Sequence, residues 1–246
     1  MKQKITIIAL LCFFAIQAWA QETGKSHVPM IGDVAPAFTA ESTTGTVYFP
    51  EDFGNKWKII FCHPADFTPV CSSELLELGS MQKDFKDLGV KLIVLSTDNV
   101  DTHEQWVKSL ETVKYNNQDL VDITFPLVDD KSHDIARKYG MIHPNTNSTK
   151  DVRGVYFIGP DNKIRAMLFY PMNIGRNTAE IKRMVQALQT ADQANVLTPA
   201  NWQPGGDVMI PYTGGATANS ASDPGVGSDP NLYQLTWYMT FRKMEK

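Results

Sequence analysis

Cysteine is scarce in this chain. There are three in 246 residues, Cys12, Cys62 and Cys71, too few for a disulfide scaffold. No Cys-x-x-Cys pair occurs, so the arrangement that makes dithiol exchange efficient is missing. No Gly-x-Ser-x-Gly stretch offers a hydrolase nucleophile. There is also no basic run: 23 Lys and Arg stand against 27 Asp and Glu, a formal net charge of −4. That balance argues against nucleic acid or an anionic membrane as partner. His27, His103, His133 and His143 show no metal-ligand spacing. Cys62, His63 and Cys71 make three donors at most, with no fourth. No internal repeat is visible.

What is present begins with a leader. MKQKITIIALLCFFAIQAWAQ has lysines at 2 and 4, an apolar run from Ile5 to Ile16 and Ala18-Trp19-Ala20 at its end. A basic start, a short apolar core and an A-x-A site describe a secretory signal over residues 1–20, cut after Ala20. The alternative, a membrane anchor, needs about 18 apolar residues, more than this run supplies. Removing residues 1–20 takes two lysines and Cys12 with it, leaving 21 basic and 27 acidic side chains and a net charge of −6. The expectation is an exported protein, periplasmic or secreted, with a polar leader over 21–27 and no stable membrane anchor.

The composition, 43% hydrophobic and 20% charged, is that of a folded domain with room for a small appendage. Elements alternate from there on. WKIIFC (57–62) and VKLIVLST (90–97) read as buried strands, and ITFPLVDD (123–130) as a third, with Pro126 marking an edge or a strand entry. Between them, Leu75, Leu78, Met81, Phe85 and Leu88 recur at helical spacing, and Gly89 closes that helix. Asp101 with Glu104 suggests the cap of a helix carrying Trp106, Val107, Leu110 and Val113. A short helix is expected around His133–Tyr139. RGVYFIG (153–159) and KIRAMLFY (163–170) flank Pro160-Asp161-Asn162 as a hairpin. Asn177 and Glu180 cap a last helix with Ile181, Met184, Val185 and Leu188 on one face. This order predicts a three-layer α/β sandwich around a mixed sheet. From Thr198 on, Pro, Gly, Ser, Asn and Thr dominate until an apolar strand, LYQLTWYMTF (232–241). Residues 191–246 read as an arm that packs on the core or on a second subunit.

In FTPVC (67–71), Thr68 suits the N-cap, Pro69 the first helical position and Cys71 the third. The unpaired N–H groups and dipole of a helix start favour negative charge, and thiols placed there ionise more readily. Cys71 is therefore a candidate nucleophile; the alternative is a buried packing cysteine.

HPADFTPVCSSE (63–74) resembles the active-site segment of the peroxiredoxins, Pro-x-x-x-Thr-x-x-Cys, here Pro64, Thr68 and Cys71. Its wording is similar to the one-cysteine, long-armed peroxiredoxin 6 subfamily. DVRGVYFIGPDNKIR, YPMNIGRN and LTPANWQPGGDVMIP resemble that subfamily's later blocks in the same order, over roughly residues 28–212. The resemblance implies a thioredoxin-like domain over 28–190 with an added hairpin at Phe38–Phe49. It also implies a homodimer or higher homo-oligomer assembled through the arm. The implied activity is reduction of hydrogen peroxide and organic hydroperoxides, without a cofactor, by a thiolate that becomes a sulfenic acid. Cys71 would be the nucleophile, Thr68 its hydrogen-bond partner, Pro64 the shield from water and Arg153 the positive charge beside sulfur. Glu74 would orient that arginine, with Arg176 as further support and His63 next to the nucleophile's loop. Excess peroxide would add further oxygens to an exposed Cys71 thiolate.

The chain departs from the subfamily at Cys62, where serine is commoner, and in the Gly/Ser-rich stretch YTGGATANSASDPGVGSDP. Cys62 is either inert packing or a resolving thiol that attacks the Cys71 sulfenic acid. Without a C-terminal cysteine, an external thiol must reduce that acid. Two other readings stand beside the peroxidase: a thiol–disulfide oxidoreductase, weakened by the missing Cys-x-x-Cys, and a non-enzymatic chaperone-like protein. Intact Pro64, Thr68, Cys71 and Arg153 argue against the latter.

Overall fold

The computed structural model describes residues 28–147, 149–212 and 229–244. The expected signal segment 1–20, the leader 21–27 and most of the Gly/Ser-rich stretch lie outside the described residues.

An N-terminal hairpin pairs β1 (Phe38–Ala40) with β2 (Val47–Phe49), as the resemblance implied. The central sheet is built from β3 (Trp57–Cys62), β4 (Val90–Ser96), β5 (Leu127–Asp129), β6 (Arg153–Ile158) and β7 (Ile164–Tyr170), in the order β5-β4-β3-β6-β7. β3, β4 and β5 run parallel, while β6 is antiparallel to β3 and β7 to β6. β3 is buried at every position, which is why WKIIFC shows no polar alternation.

Four helices accompany the sheet: α1 (Pro69–Asp87), α2 (Val100–Leu110), α3 (Asp134–Lys138) and α4 (Thr178–Ala194). Strand periodicity divides the core in two. Trp57, Ile59 and Phe61 pack with Leu75, Leu78 and Phe85 of α1, Trp106 and Leu110 of α2, and Ile181 and Val185 of α4. Ile60 and Cys62 pack on the opposite face with Phe38, Val47, Phe49, Ile135, Ala136 and Tyr139. The result is the expected thioredoxin-like three-layer sandwich, with α3 and the hairpin as the second outer layer. Each fully buried Leu or Phe in these layers contributes about 1.5–3 kcal/mol. Gly89 ends α1 at φ 69°, a left-handed value that suits glycine.

Three local expectations are corrected. The cap of α2 is Asn99, whose side chain accepts from Thr102 N at 2.9 Å; Asp101 lies inside the helix. The strand expected over 123–130 shrinks to Leu127–Asp129, because Pro126 cannot donate to a ladder and stands just before it. The single terminal strand expected over 232–241 is a hairpin of β9 (Leu232–Thr236) and β10 (Met239–Arg242), turning at Trp237-Tyr238. β10 also pairs with β8 (Val208–Met209). The arm docks on α4, where Val196, Trp202 and Val208 cluster with Ala187 and Arg183 donates to the Trp202 carbonyl at 2.9 Å. Among the described residues, no helix is long and apolar enough to cross a membrane.

Candidate active site

β3 ends at Cys62, and the chain crosses the sheet edge through residues 63–68 before α1 begins. Thr68 is the N-cap with extended backbone, Pro69 opens the helix and Cys71 falls in its first turn. The Thr68 hydroxyl does not cap the helix. It donates to the Ala65 carbonyl at 2.9 Å, which leaves the oxygen free to accept. Cys71 is buried, at 2% exposure, so the expectation of an exposed thiolate is corrected. Pro69 at the helix start is exposed, but the Cys71 side of the first turn faces the core, and Pro64 is buried on the preceding segment.

Arg153 opens β6, beside the end of β3. Its Nη1 donates to Cys71 Sγ at 3.1 Å and to Glu74 Oε2 at 2.8 Å. Its Nε and Nη2 donate to the Met172 carbonyl at 2.8 and 2.5 Å. The planar fork is thus held by two acceptors while one nitrogen points at sulfur. Glu74 lies three residues after Cys71 and so shares its helix face. It also binds Arg176: Nε reaches Oε1 at 2.9 Å, the backbone N reaches Oε1 at 2.7 Å and Nη2 reaches Oε2 at 2.8 Å. Arg176 Nη1 donates to the carbonyls of Cys62 and Gly154, each at 2.8 Å, and its guanidinium lies 3.3 Å over the Phe61 ring. Burial pulls the Arg176 pKa down from its usual value, and Glu74 acts against that.

Two buried guanidinium groups therefore face one buried carboxylate, an excess of one positive charge. A buried charge without a partner is costly, and a Cys71 thiolate 3.1 Å from Arg153 balances it.

His63 is buried, its ring 5.1 Å from that of Trp106 and its Nε2 3.2 Å from Asp66 Oδ1. Burial first, then Arg176 and His103, hold its pKa well below the usual value, so the ring is neutral at physiological pH. Cys62 packs on the other face of the sheet from Cys71, and both thiols are free. Burial, with Asp151 nearby, pushes the Cys62 pKa well up, Arg176 acting against it. It is a neutral thiol in an apolar layer. The structure brings Cys71, Glu74, Arg153 and Arg176 into one cluster with Thr68, Pro64 and His63 on the adjoining segment, and leaves the Cys62 sulfur outside it.

Reading the sequence missed three contributors. The Met172 carbonyl fixes Arg153, and a backbone acceptor leaves no residue-type signal. Asp66 and His103 meet at 2.7 Å behind the Cys71 loop. His103 was legible in principle, since it shares a helix face with Trp106 and Leu110 at spacings of three and seven. A cavity of about 850 Å³ at the opposite end of the sheet is lined by Phe53, Lys56 and Phe125 and by none of these site residues. Among the described residues, no group of three or more His, Cys, Asp or Glu is placed to hold a metal ion.

Residues 31–167 match the AhpC/TSA family, and residues 187–213 match the C-terminal domain of 1-Cys peroxiredoxin. A peroxiredoxin of Methanosarcina mazei is 49% identical over 218 residues, covering 88% of this chain and 98% of that protein. The solved yeast mitochondrial 1-Cys peroxiredoxin superposes with a TM-score of 0.74 at 35% identity, over 87% of this chain and 99% of its own. A cysteine-to-serine mutant of peroxiredoxin 6 of Arenicola marina gives 0.74 at 34% identity, over 88% and 99%. With a helix-start cysteine under a buried arginine and likeness along most of its length, the chain belongs to the peroxiredoxins of the AhpC/TSA family, the thiol-dependent peroxidases.

Proposed function

We propose that this peroxidase works by a one-cysteine cycle in which Cys71 is the nucleophile and an external thiol is the reductant. The observation that carries the reading is the 3.1 Å contact from Arg153 Nη1 to Cys71 Sγ.

The thiolate attacks one oxygen of hydrogen peroxide or an organic hydroperoxide, and the O–O bond breaks. Sulfur loses two electrons and takes that oxygen as a sulfenic acid. The other oxygen leaves with the electron pair and takes up one proton, departing as water or alcohol. Thr68 gives its own hydroxyl proton to Ala65, so its oxygen accepts the peroxide O–H and aims the attacked oxygen at sulfur. Arg153 stabilises first the thiolate and then the charge spreading onto the peroxide. Glu74 and Arg176 hold that guanidinium in place, Pro64 keeps water out, and His63 contributes a neutral ring to the loop. A thiol then attacks the sulfenic sulfur, releasing water and leaving a mixed disulfide, which a second thiol opens. The yeast relative's thiol is resolved via glutathione and thioredoxin systems, and a reductant of that chemical class serves here. The segment 1–20 supports export, to periplasm or exterior, and the arm supports a homodimer.

The test is turnover of hydrogen peroxide with a dithiol reductant. Cys71→Ser abolishes it and Cys62→Ser keeps most of it. Rapid residual turnover in Cys71→Ser overturns the assignment.

A further inference from the structure

The segment that delivers Pro64 and Thr68 to α1 is strained. Phe67 sits at φ 53°, where a bulky residue is an outlier, and the residue is 55% exposed, with its ring 6.5 Å from that of Trp106. Such a conformation costs about 1–3 kcal/mol and persists only where its surroundings over-determine it. The neighbouring residue supplies the restraint. Asp66 N donates to Asp98 Oδ2 at 2.8 Å. Asp66 Oδ2 meets His103 Nδ1 at 2.7 Å, and Oδ1 lies 3.2 Å from His63 Nε2. One turn on, Trp106 Nε1 donates to Ser72 Oγ at 3.2 Å. One face of α2 thus braces both the loop and the start of α1.

The two contacts of the His103 ring constrain where its hydrogens lie. His103 Nε2 lies 3.1 Å from the Val128 carbonyl. A carbonyl only accepts, so Nε2 carries a hydrogen. The 2.7 Å contact on the other side needs a second proton, between Nδ1 and the Asp66 carboxylate. The pair therefore holds one proton more than a neutral imidazole beside an ionised carboxylate would. Both side chains are buried, at 0% and 1% exposure. Without that proton, a nitrogen lone pair would face a carboxylate at 2.7 Å in a site closed to water, and both groups would repel. The charged and titratable groups facing the pair are Asp98 and Lys150 from the neighbouring loops and His63 from the segment itself.

We propose that Asp66 and His103 are positioning residues for the peroxide reaction: the buried hydrogen between them locks the Pro64–Thr68 segment in its strained form. The inference rests on Cys71 being the peroxidatic thiol and adds what holds the residues around it. Burial raises the Asp66 pKa from its usual value, and the contact with His103 acts against that.

Asp66→Asn tests the brace itself. An asparagine amide can donate to Nδ1 while Nε2 keeps its bond to Val128, so the contact survives. The experiment is the rate constant of Cys71 oxidation by hydrogen peroxide in the full chain. Asp66→Ala and His103→Ala lower it about tenfold, the scale of one buried hydrogen bond. Asp66→Asn recovers most of that loss. An Asp66→Asn chain as slow as Asp66→Ala, or an unchanged rate in Asp66→Ala, overturns the proposal. Proton NMR of the same chain reads the pair apart from the chemistry: a far-downfield resonance is expected that disappears in Asp66→Asn. Its absence from the unaltered chain overturns the shared proton whatever the peroxide does. A chain with that resonance whose Cys71 fails to react overturns the cycle instead.

Discussion

Cys62 and Cys71, nine residues apart in sequence, pack into cores on opposite faces of the central sheet. Cys62 lies at the end of β3 and Cys71 in the first turn of α1. A disulfide requires Cβ atoms within about 4.5 Å and pointing at each other. The backbone of β3 intervenes, so pairing would need the start of α1 to unwind and Cys62 to leave its strand. One face of the sheet holds Cys71 with its arginine, and the other holds Cys62, an un-ionised thiol in an apolar layer.

Arg153→Ala removes the only side-chain donor recorded on Cys71 Sγ among the described residues. Stopped-flow oxidation by hydrogen peroxide should slow by about 10²–10³, the loss typical of one preorganised donor at a developing charge. Arg153→Lys should recover little of it, because an ammonium cannot hold Met172, Glu74 and sulfur with one planar fork. A lysine variant with unaltered rate would contradict the geometric role.

Glu74→Gln takes the only carboxylate from between two buried guanidinium groups. Breaking a buried ion pair from one side costs about 3–5 kcal/mol. Denaturant unfolding should show that loss in midpoint with little change in slope. A loss below about 1 kcal/mol would mean that the cluster is screened far better than its burial indicates.

Asp151 has a different consequence. It is fully buried and neither carboxyl oxygen has a hydrogen-bond partner among the described residues. Burial, then Asp130, pushes its pKa well above the usual 3.8. The native state thus binds a proton that the unfolded chain releases. Its favourable contribution is complete below about pH 4 and is lost as pH rises through the raised value. His63 works in the opposite sense, because its pKa is lowered from 6.5: its contribution is complete above that pH and is lost as pH falls. Above about pH 6.5 the two separate. Unfolding free energy should decline as pH rises through the raised Asp151 value, and Asp151→Asn should make the decline shallower. Parallel curves for the two chains would show that Asp151 is ionised in the folded state.

Much of this site was legible before the fold was known, for a physical reason. FTPVC encodes its own geometry: Pro69 suits the first helical position, so Cys71 falls in a first turn, although the Thr68 hydroxyl bonds Ala65 instead of capping the helix. Asn177 caps α4 as its spacing to Glu180 indicates, accepting from Glu180 N at 3.0 Å. Position 74 follows from helical spacing, but its double contact to Arg153 and Arg176 is tertiary and has no local pattern. The cap of α2 was misplaced because Asp101 and Asn99 are both credible caps and the end of β4 decides between them. The terminal hairpin was read as one strand because Trp237 and Tyr238 are apolar and aromatic, with none of the usual turn residues. Asp66 and His103 went unnoticed as partners because 37 residues separate them, and only the packing of α2 against the loop brings them together.

The most direct test of the one-cysteine account is the intact mass of the chain after one equivalent of hydrogen peroxide, with and without a sulfenic-acid trap. The account predicts one trapped adduct per chain, located at Cys71, with Cys62 still free. Loss of two hydrogens within a single chain, marking a Cys62–Cys71 disulfide, would contradict it.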